Sequence, residues 1–147
     1  MYLIIFIAGL VLDRLTKYLI AANVELHQKI EVIPWLLNIT HERNTGAAFS
    51  IMQGRISFFI VFTVFAFIMI FFLWRTTTKE QRLLRVSLTM LATGAIGNFI
   101  DRIMYGYVVD FFEIPFNFPV FNVADIMIVV SVVLILFTIF TDKKVRL

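Results

Sequence analysis

Between Arg55 and Arg75 the chain carries no charge: Ile56 to Trp74 reads I-S-F-F-I-V-F-T-V-F-A-F-I-M-I-F-F-L-W. A helix of that length rises about 28 Å, which matches the hydrocarbon thickness of a bilayer. Its apolar side chains point in every direction, so no single buried face can absorb them. Three further stretches, 2–22, 83–104 and 123–141, have similar length and mostly apolar character. With 61% hydrophobic residues and 17 Phe in 147 positions, one soluble core could not hide this surface. The expectation is a membrane all-α protein, a four-transmembrane-helix bundle spanning 2–22, 56–74, 83–104 and 123–141, with residues 1–147 forming a single membrane domain.

Basic residues orient this bundle. Arg75, Lys79, Arg82 and Arg85 lie between the second and third spans, and Lys143, Lys144 and Arg146 follow the fourth. The positive-inside rule places both groups in the cytoplasm, hence both termini as well, and leaves the 23–55 and 105–122 connections outside. Tyr2–Leu12 resembles a signal-peptide core, but it lacks a basic leader and Asp13, Arg14 and Lys17 interrupt it. An uncleaved first span is expected. The absence of Cys excludes disulfides, thiolate metal sites and a cysteine nucleophile. The net charge of +3 follows the loops rather than one surface, and no nucleic-acid partner is expected.

The first outer connection has structure of its own. Lys29–Ile33 alternates polar with apolar residues, Leu36–Thr40 is strand-like, and Pro34 requires an edge or a bend between them. A small β-element over about 24–54, lying on the outer membrane surface, is expected, followed by a tight N-T-G-A-A-F turn from Asn44. Asn38-Ile39-Thr40 matches a glycosylation sequon, but so short a pattern arises often by chance and is discounted.

Two carboxylates stand in apolar surroundings near the outer side: Asp110 in V-V-D-F-F and Asp125 in F-N-V-A-D-I-M. An ionised carboxylate is costly to desolvate, so such a group needs a partner or a task. Two that share a partly dry site split their proton affinities. One can then take a proton from water while the other donates to a carbonyl oxygen, so amide hydrolysis needs neither metal nor cofactor, and activity should survive chelators. The alternative is that each Asp only caps or pairs within the bundle; the residues alone leave both open.

Other polar residues gather around them. G-A-I-G-N-F-I-D-R sets Gly94 and Gly97, which permit close helix approach, ahead of Asn98, Asp101 and Arg102 at the outer end of the third span. An Asp101–Arg102 pair serving as scaffold is expected there. Asn122, three residues before Asp125, can orient it or bind substrate backbone. In D-R-L-T-K, Asp13 and Lys17 are i, i+4 and can pair; Asp13 falls about 16 Å from Tyr2, near mid-membrane and deeper than Asp110 or Asp125.

Together D-R-L-T-K at 13–17, N-T-G-A-A-F at 44–49, G-A-I-G-N-F-I-D-R at 94–102, V-V-D at 108–110 and F-N-V-A-D at 121–125 resemble the prolipoprotein signal peptidase (signal peptidase II) family of bacterial aspartic peptidases. The resemblance covers nearly the whole chain. It implies that Asp110 and Asp125 are the catalytic dyad and that Asn44 and Arg102 line the substrate channel. Asn98, Asn122 and Asp101 would support the site, with Asn98 and Asn122 also touching substrate and Asp13, Lys17, Gly94 and Gly97 as framework. It further implies a small extracytoplasmic β-cradle and a mobile segment between the third and fourth spans. The implied substrates are diacylglyceryl-modified prolipoproteins, cleaved just before the lipidated cysteine at the outer face of the bacterial cytoplasmic membrane. Also implied are contact with membrane lipid, no metal, a monomeric enzyme, and inhibition by globomycin bound at the dyad.

Rival readings exist. A small four-span proton- or cation-coupled transporter would use the Asp residues as ion sites near the midplane. A serine–lysine peptidase could use Ser50 with Lys17, though no spacing activates that serine. A purely structural membrane subunit leaves the outer polar cluster without a purpose.

Overall fold

The computed structural model describes residues 1–46, 56–116 and 118–141. Ala47, Ala48 and Phe49 of the Asn44 turn, Ser50, and the basic residues Lys143, Lys144 and Arg146 lie outside the described residues. Four helices and three strands follow in the order α1 (Tyr2–Asn23), β1 (Lys29–Ile33), β2 (Leu37–Asn44), α2 (Ile56–Thr76), α3 (Arg82–Tyr105), β3 (Val108–Glu113) and α4 (Val123–Thr141).

α3 is the central helix and packs against α1, α2 and α4. Its small residues make this possible. A Cβ on Gly94 would stand 2.5 Å from the Ala124 carbonyl oxygen of α4, and one on Gly97 would stand 2.6 Å from Asp13 Oδ2 of α1. Gly9 does the same between α1 and α4, where a Cβ would meet Met127 Cε at 2.5 Å. Towards the basic end, Ile70, Leu84 and Leu88 form an apolar core with Phe67, Leu73, Trp74 and Leu91 around it. The outward faces are apolar too: Leu3, Ile4, Phe62, Phe65, Val129 and Phe137 are all exposed, as lipid-facing side chains would be.

Three helices, α2, α3 and α4, are long and apolar enough to cross a membrane. α1 has the length, at 22 residues, but carries three charged residues, Asp13, Arg14 and Lys17, near its middle.

At the other end of the bundle lies an antiparallel sheet in the order β1-β2-β3. Pro34–Leu36 form the turn between β1 and β2, with Trp35 at φ 66°. Lys29 and Asn38 both reach Glu113 on β3, the latter at 3.0 Å. The third strand departs from the sequence expectation. Asp110 was expected in an outer loop, yet it lies on β3, opposite Glu42 of β2. V-V-D-F-F-E lacks the alternation that marks a half-exposed strand because Val108 to Phe111 are buried on both faces. α3 ends at Gly106, whose φ of 77° turns the chain back into β3; a side chain there would be strained. Phe112 of β3 and Phe121 exchange backbone hydrogen bonds of 2.8 and 3.0 Å, which deliver the chain to the start of α4.

Candidate active site

The first turn of α4 is built by a reciprocal cap. Asn122 precedes the helix; its Oδ1 accepts from the Asp125 backbone N–H at 3.0 Å, and its own N–H donates to Asp125 Oδ2 at 3.1 Å. This is a capping box, with Asn and Asp in the roles of Ser and Glu. The same Asn122 side chain donates through Nδ2 to Asp110 Oδ1 at 2.6 Å and to Asn98 Oδ1 at 3.2 Å. One residue therefore reaches both carboxylates: the Asn122 side chain holds Asp110 of β3, and its backbone N–H holds Asp125 of α4. Asn44, at the end of β2, donates to the other Asp110 oxygen at 2.8 Å, and Asn98 of α3 donates to Asp125 Oδ1 at 2.7 Å. Asp110 is 2% exposed. Burial first, and the charge of Asp125 second, push its carboxyl up to about 7, against the opposing pull of the Asn44 and Asn122 hydrogen bonds and the Lys17 charge.

Beside this pair lies a buried ionic network. Lys17 Nζ, on a side chain 1% exposed, contacts Asp13 Oδ2 at 3.1 Å, Asp101 Oδ2 at 3.0 Å and Asn98 Oδ1 at 2.9 Å. Asp101 also pairs with Arg14 and accepts from the Val109 backbone N–H at 3.3 Å, which ties α3 to the strand that carries Asp110. Asp13 Oδ1 accepts from Ala124 N–H at 3.1 Å, so a carboxylate from α1 meets the N-terminus of α4, where the helix dipole favours it.

Two expectations are corrected here. Asp101 does not pair with Arg102. Adjacent helical residues point about 100° apart, so Asp101 faces α1 while Arg102 turns towards α2. Arg102 instead donates to the Asn98 and Gly46 carbonyl oxygens at 3.4 and 3.3 Å, and its guanidinium lies 5.0 Å from the centre of the Phe59 ring. Nor is Asp13 deeper than the other carboxylates: through Ala124 it stands level with the first turn of α4. α1 runs on about 15 Å past Asp13, and α3 about 10 Å past Asn98, so the cluster is sunk below those helix ends.

Asp110, Asp125, Asn44, Asn98 and Arg102 line the head of a cavity of about 480 Å³. Its remaining wall is apolar and descends α4 past Ile126, Val129 and Val130, side chains that are themselves exposed on the outer surface of the bundle. Polar chemistry thus sits at the top of a groove that opens sideways. Among the described residues, no three His, Asp or Glu gather in a way that could hold a metal ion.

A family model described as signal peptidase (SPase) II matches residues 5–141. The chain belongs to the signal peptidase II family. This peptidase is 44% identical over 146 residues to a lipoprotein signal peptidase of Listeria monocytogenes, covering 97% of this chain and 95% of that one. It is 45% identical over 134 residues to the lipoprotein signal peptidase of Enterococcus faecalis (90% and 83% covered). Its backbone superposes on a bacterial membrane enzyme solved in meso at 2.3 Å with a TM-score of 0.90 at 35% identity, covering 99% and 93% of the two chains. It is thus a hydrolase of peptide bonds built among apolar helices.

The eleven residues that the resemblance assigns to the site and its framework, from Asp13 to Asp125, fall in or beside this cluster. Three participants were missed. Arg14 is three residues from Lys17, a helical spacing that puts both on one face; Val109 and Ala124 act through backbone N–H groups, which leave no side-chain signal.

Proposed function

We propose that this peptidase removes signal peptides from diacylglyceryl-modified prolipoproteins by an aspartic mechanism, with Asp110 and Asp125 as the dyad. The observation that carries the reading is the pair itself: a buried carboxyl and a half-buried one, both bonded by Asn122, at the head of a laterally open apolar groove. A substrate anchored by acyl chains stays in the bilayer and reaches the carboxyls along the α4 wall without leaving lipid. Cleavage falls just before the lipidated cysteine.

The chemistry follows from one proton shared by two carboxyls. The ionised carboxylate takes a proton from water as the water oxygen attacks the scissile carbonyl carbon, and the protonated one gives its proton to the carbonyl oxygen. The resulting diol collapses: one hydroxyl returns its proton to a carboxylate, the C–N bond breaks, and the amine leaves with the proton first taken from water. Asn44 and Asn98 keep donors on the outer carboxylate oxygens. Arg102, at the cavity head, suits a carbonyl or headgroup oxygen.

The same reading makes α1 the fourth span. Its charges support this, since Asp13 and Lys17 are buried against α3 and Arg14 pairs with Asp101, while Leu3, Ile7, Val11 and Leu19 face outward. Residues 1–147 then form one domain of the bacterial cytoplasmic membrane, with termini inside and the dyad outside; Arg75, Lys79, Arg82 and Arg85 at the opposite end support that orientation. The apolar core of Ile70, Leu84 and Leu88 lies between the carboxyls and that basic end, which speaks against alternating access and so against a transporter. The test is cleavage of a diacylated precursor by the purified protein in proteoliposomes. Asp110→Asn and Asp125→Asn should each abolish turnover while still inserting and accumulating; normal turnover by either would overturn the dyad.

A further inference from the structure

A carboxamide has two ends of nearly equal size, one a donor and one an acceptor, so its neighbours decide which way it points. For Asn98 the choice has a consequence. With Nδ2 towards Asp125 it donates to the carboxylate at 2.7 Å; turned over, it would set an oxygen against an oxygen. Asn98 Oδ1 meets two donors, Lys17 Nζ at 2.9 Å and Asn122 Nδ2 at 3.2 Å. Asn122 is held by the Asp125 backbone N–H on its Oδ1 and is the more distant of the two donors. The ammonium is the nearer one, and it has only donors.

We infer that Lys17 is a positioning residue of the dyad: its ammonium fixes the orientation of Asn98 and, through it, the hydrogen bond that Asn98 donates to Asp125. The chain runs from Lys17 to Asn98, whose Nδ2 then faces Asp125 and whose oxygen draws Asn122 Nδ2. That nitrogen also donates to Asp110, while the Asp125 backbone N–H holds Asn122 Oδ1. Asn98 and Asn122 thus each point a side-chain donor at one carboxyl.

The surroundings of Lys17 fit this role and no other. Its three N–H bonds meet three acceptors, Asp13, Asp101 and Asn98, leaving no lone pair and no free donor for substrate. Its charge is matched: Asp13 and Asp101 balance Lys17 and Arg14 within one network. It is therefore neither a base nor a substrate ligand. Its field also reaches the dyad, since its charge opposes protonation of Asp110. The other charges facing Asp110 are Asp125 from α4, which bears on it most, Arg102 from α3, and Glu42 opposite it on β2.

This inference rests on the dyad reading, and its test separates the two. Lys17→Met alone would strand Asp13 and Asp101, so the variant is Lys17→Met with Asp13→Asn, which keeps the network neutral and an oxygen on Ala124 N–H. With a diacylated precursor, kcat should fall about 10–100-fold with KM changed less than about threefold, the signature of a misoriented reacting group. The alkaline limb of the kcat profile should also move to higher pH, because the cation that opposed the Asp110 proton has gone. Lys17→Arg, donor-only and charged, should recover most of kcat and the original limb. If the double variant does not accumulate, Lys17→Gln decides: it keeps a donor for Asn98 but loses the charge, so its limb should move upward with a smaller loss of kcat. Folded Lys17 variants with wild-type kcat and an unmoved limb would overturn the inference, as would Lys17→Arg behaving like the double variant. If the dyad reading itself were wrong, Asp110→Asn or Asp125→Asn measured alongside would turn over.

Discussion

Adding one methyl group at Gly94 should separate chemistry from folding in a measurable way. A Cβ there would stand 2.5 Å from the Ala124 carbonyl oxygen, 2.9 Å from Ile128 Cγ1 and 3.3 Å from Ile128 N. The first distance is about 1 Å inside ordinary contact, and the obstacle is backbone, which cannot rotate aside. In Gly94→Ala the first turn of α4 must therefore withdraw from α3 by about 1 Å. Asp125 lies one residue beyond Ala124, and its 2.7 Å hydrogen bond from Asn98 spans this interface. Stretched by that amount the bond is lost. Overpacking of this kind costs about 1–3 kcal/mol, and a hydrogen bond to a charged group is worth about 1.5–3 kcal/mol. Misplacing a reacting group by about 1 Å can lower kcat about 100-fold. The assay pairs thermal unfolding in detergent with turnover of a diacylated precursor. A Gly94→Ala enzyme with wild-type unfolding temperature and kcat would show that α3 and α4 are not in the contact described, and the account of how Asp125 is held would fail.

Other outcomes follow from the same geometry. With the Asp110 carboxyl raised to about 7, the single-proton form of the dyad exists below that pH and is lost above it, so kcat should decline as pH rises through about 7; a profile flat from pH 6 to about 9 would contradict this. Asn122→Ala removes a helix cap and the bridge between the carboxyls, and should cost about 1 kcal/mol of stability and at least about tenfold in kcat; turnover like wild type would show the bridge to be idle. Arg14→Gln leaves Asp101 with Lys17 alone and should destabilise by about 1.5–3 kcal/mol while Asp101 still holds Val109 N–H; unfolding curves that superpose on wild type would rule out the ion pair.

Much of the framework was legible because it is written in local terms. Uncharged runs such as Ile56–Trp74 mark helices without reference to any partner, and Pro34 marks the turn of the hairpin. Asp13 and Lys17 pair as i, i+4 spacing implies. The strand at Asp110 was not legible, since its pairing lies in residues 64 or more positions earlier and Val108 to Phe111 are buried on both faces. The Asp101–Arg102 expectation failed for a related reason. Sequence adjacency suggested a pair, but the helix turned the two side chains to different neighbours, α1 and α2.

Residue types and spacings thus established the kind of molecule: apolar spans, a short polar sheet, and a set of Asp, Asn, Lys and Arg residues too costly to leave alone in lipid. Which of these meet was set by packing. Gly94 and Gly97 let three helices close to the distance at which Asn98 reaches Asp125 and Lys17 reaches Asn98. Hydrogen bonds act over about 3 Å, so a partner's identity, a carboxyl's depth and an amide's direction exist only once the helices have docked.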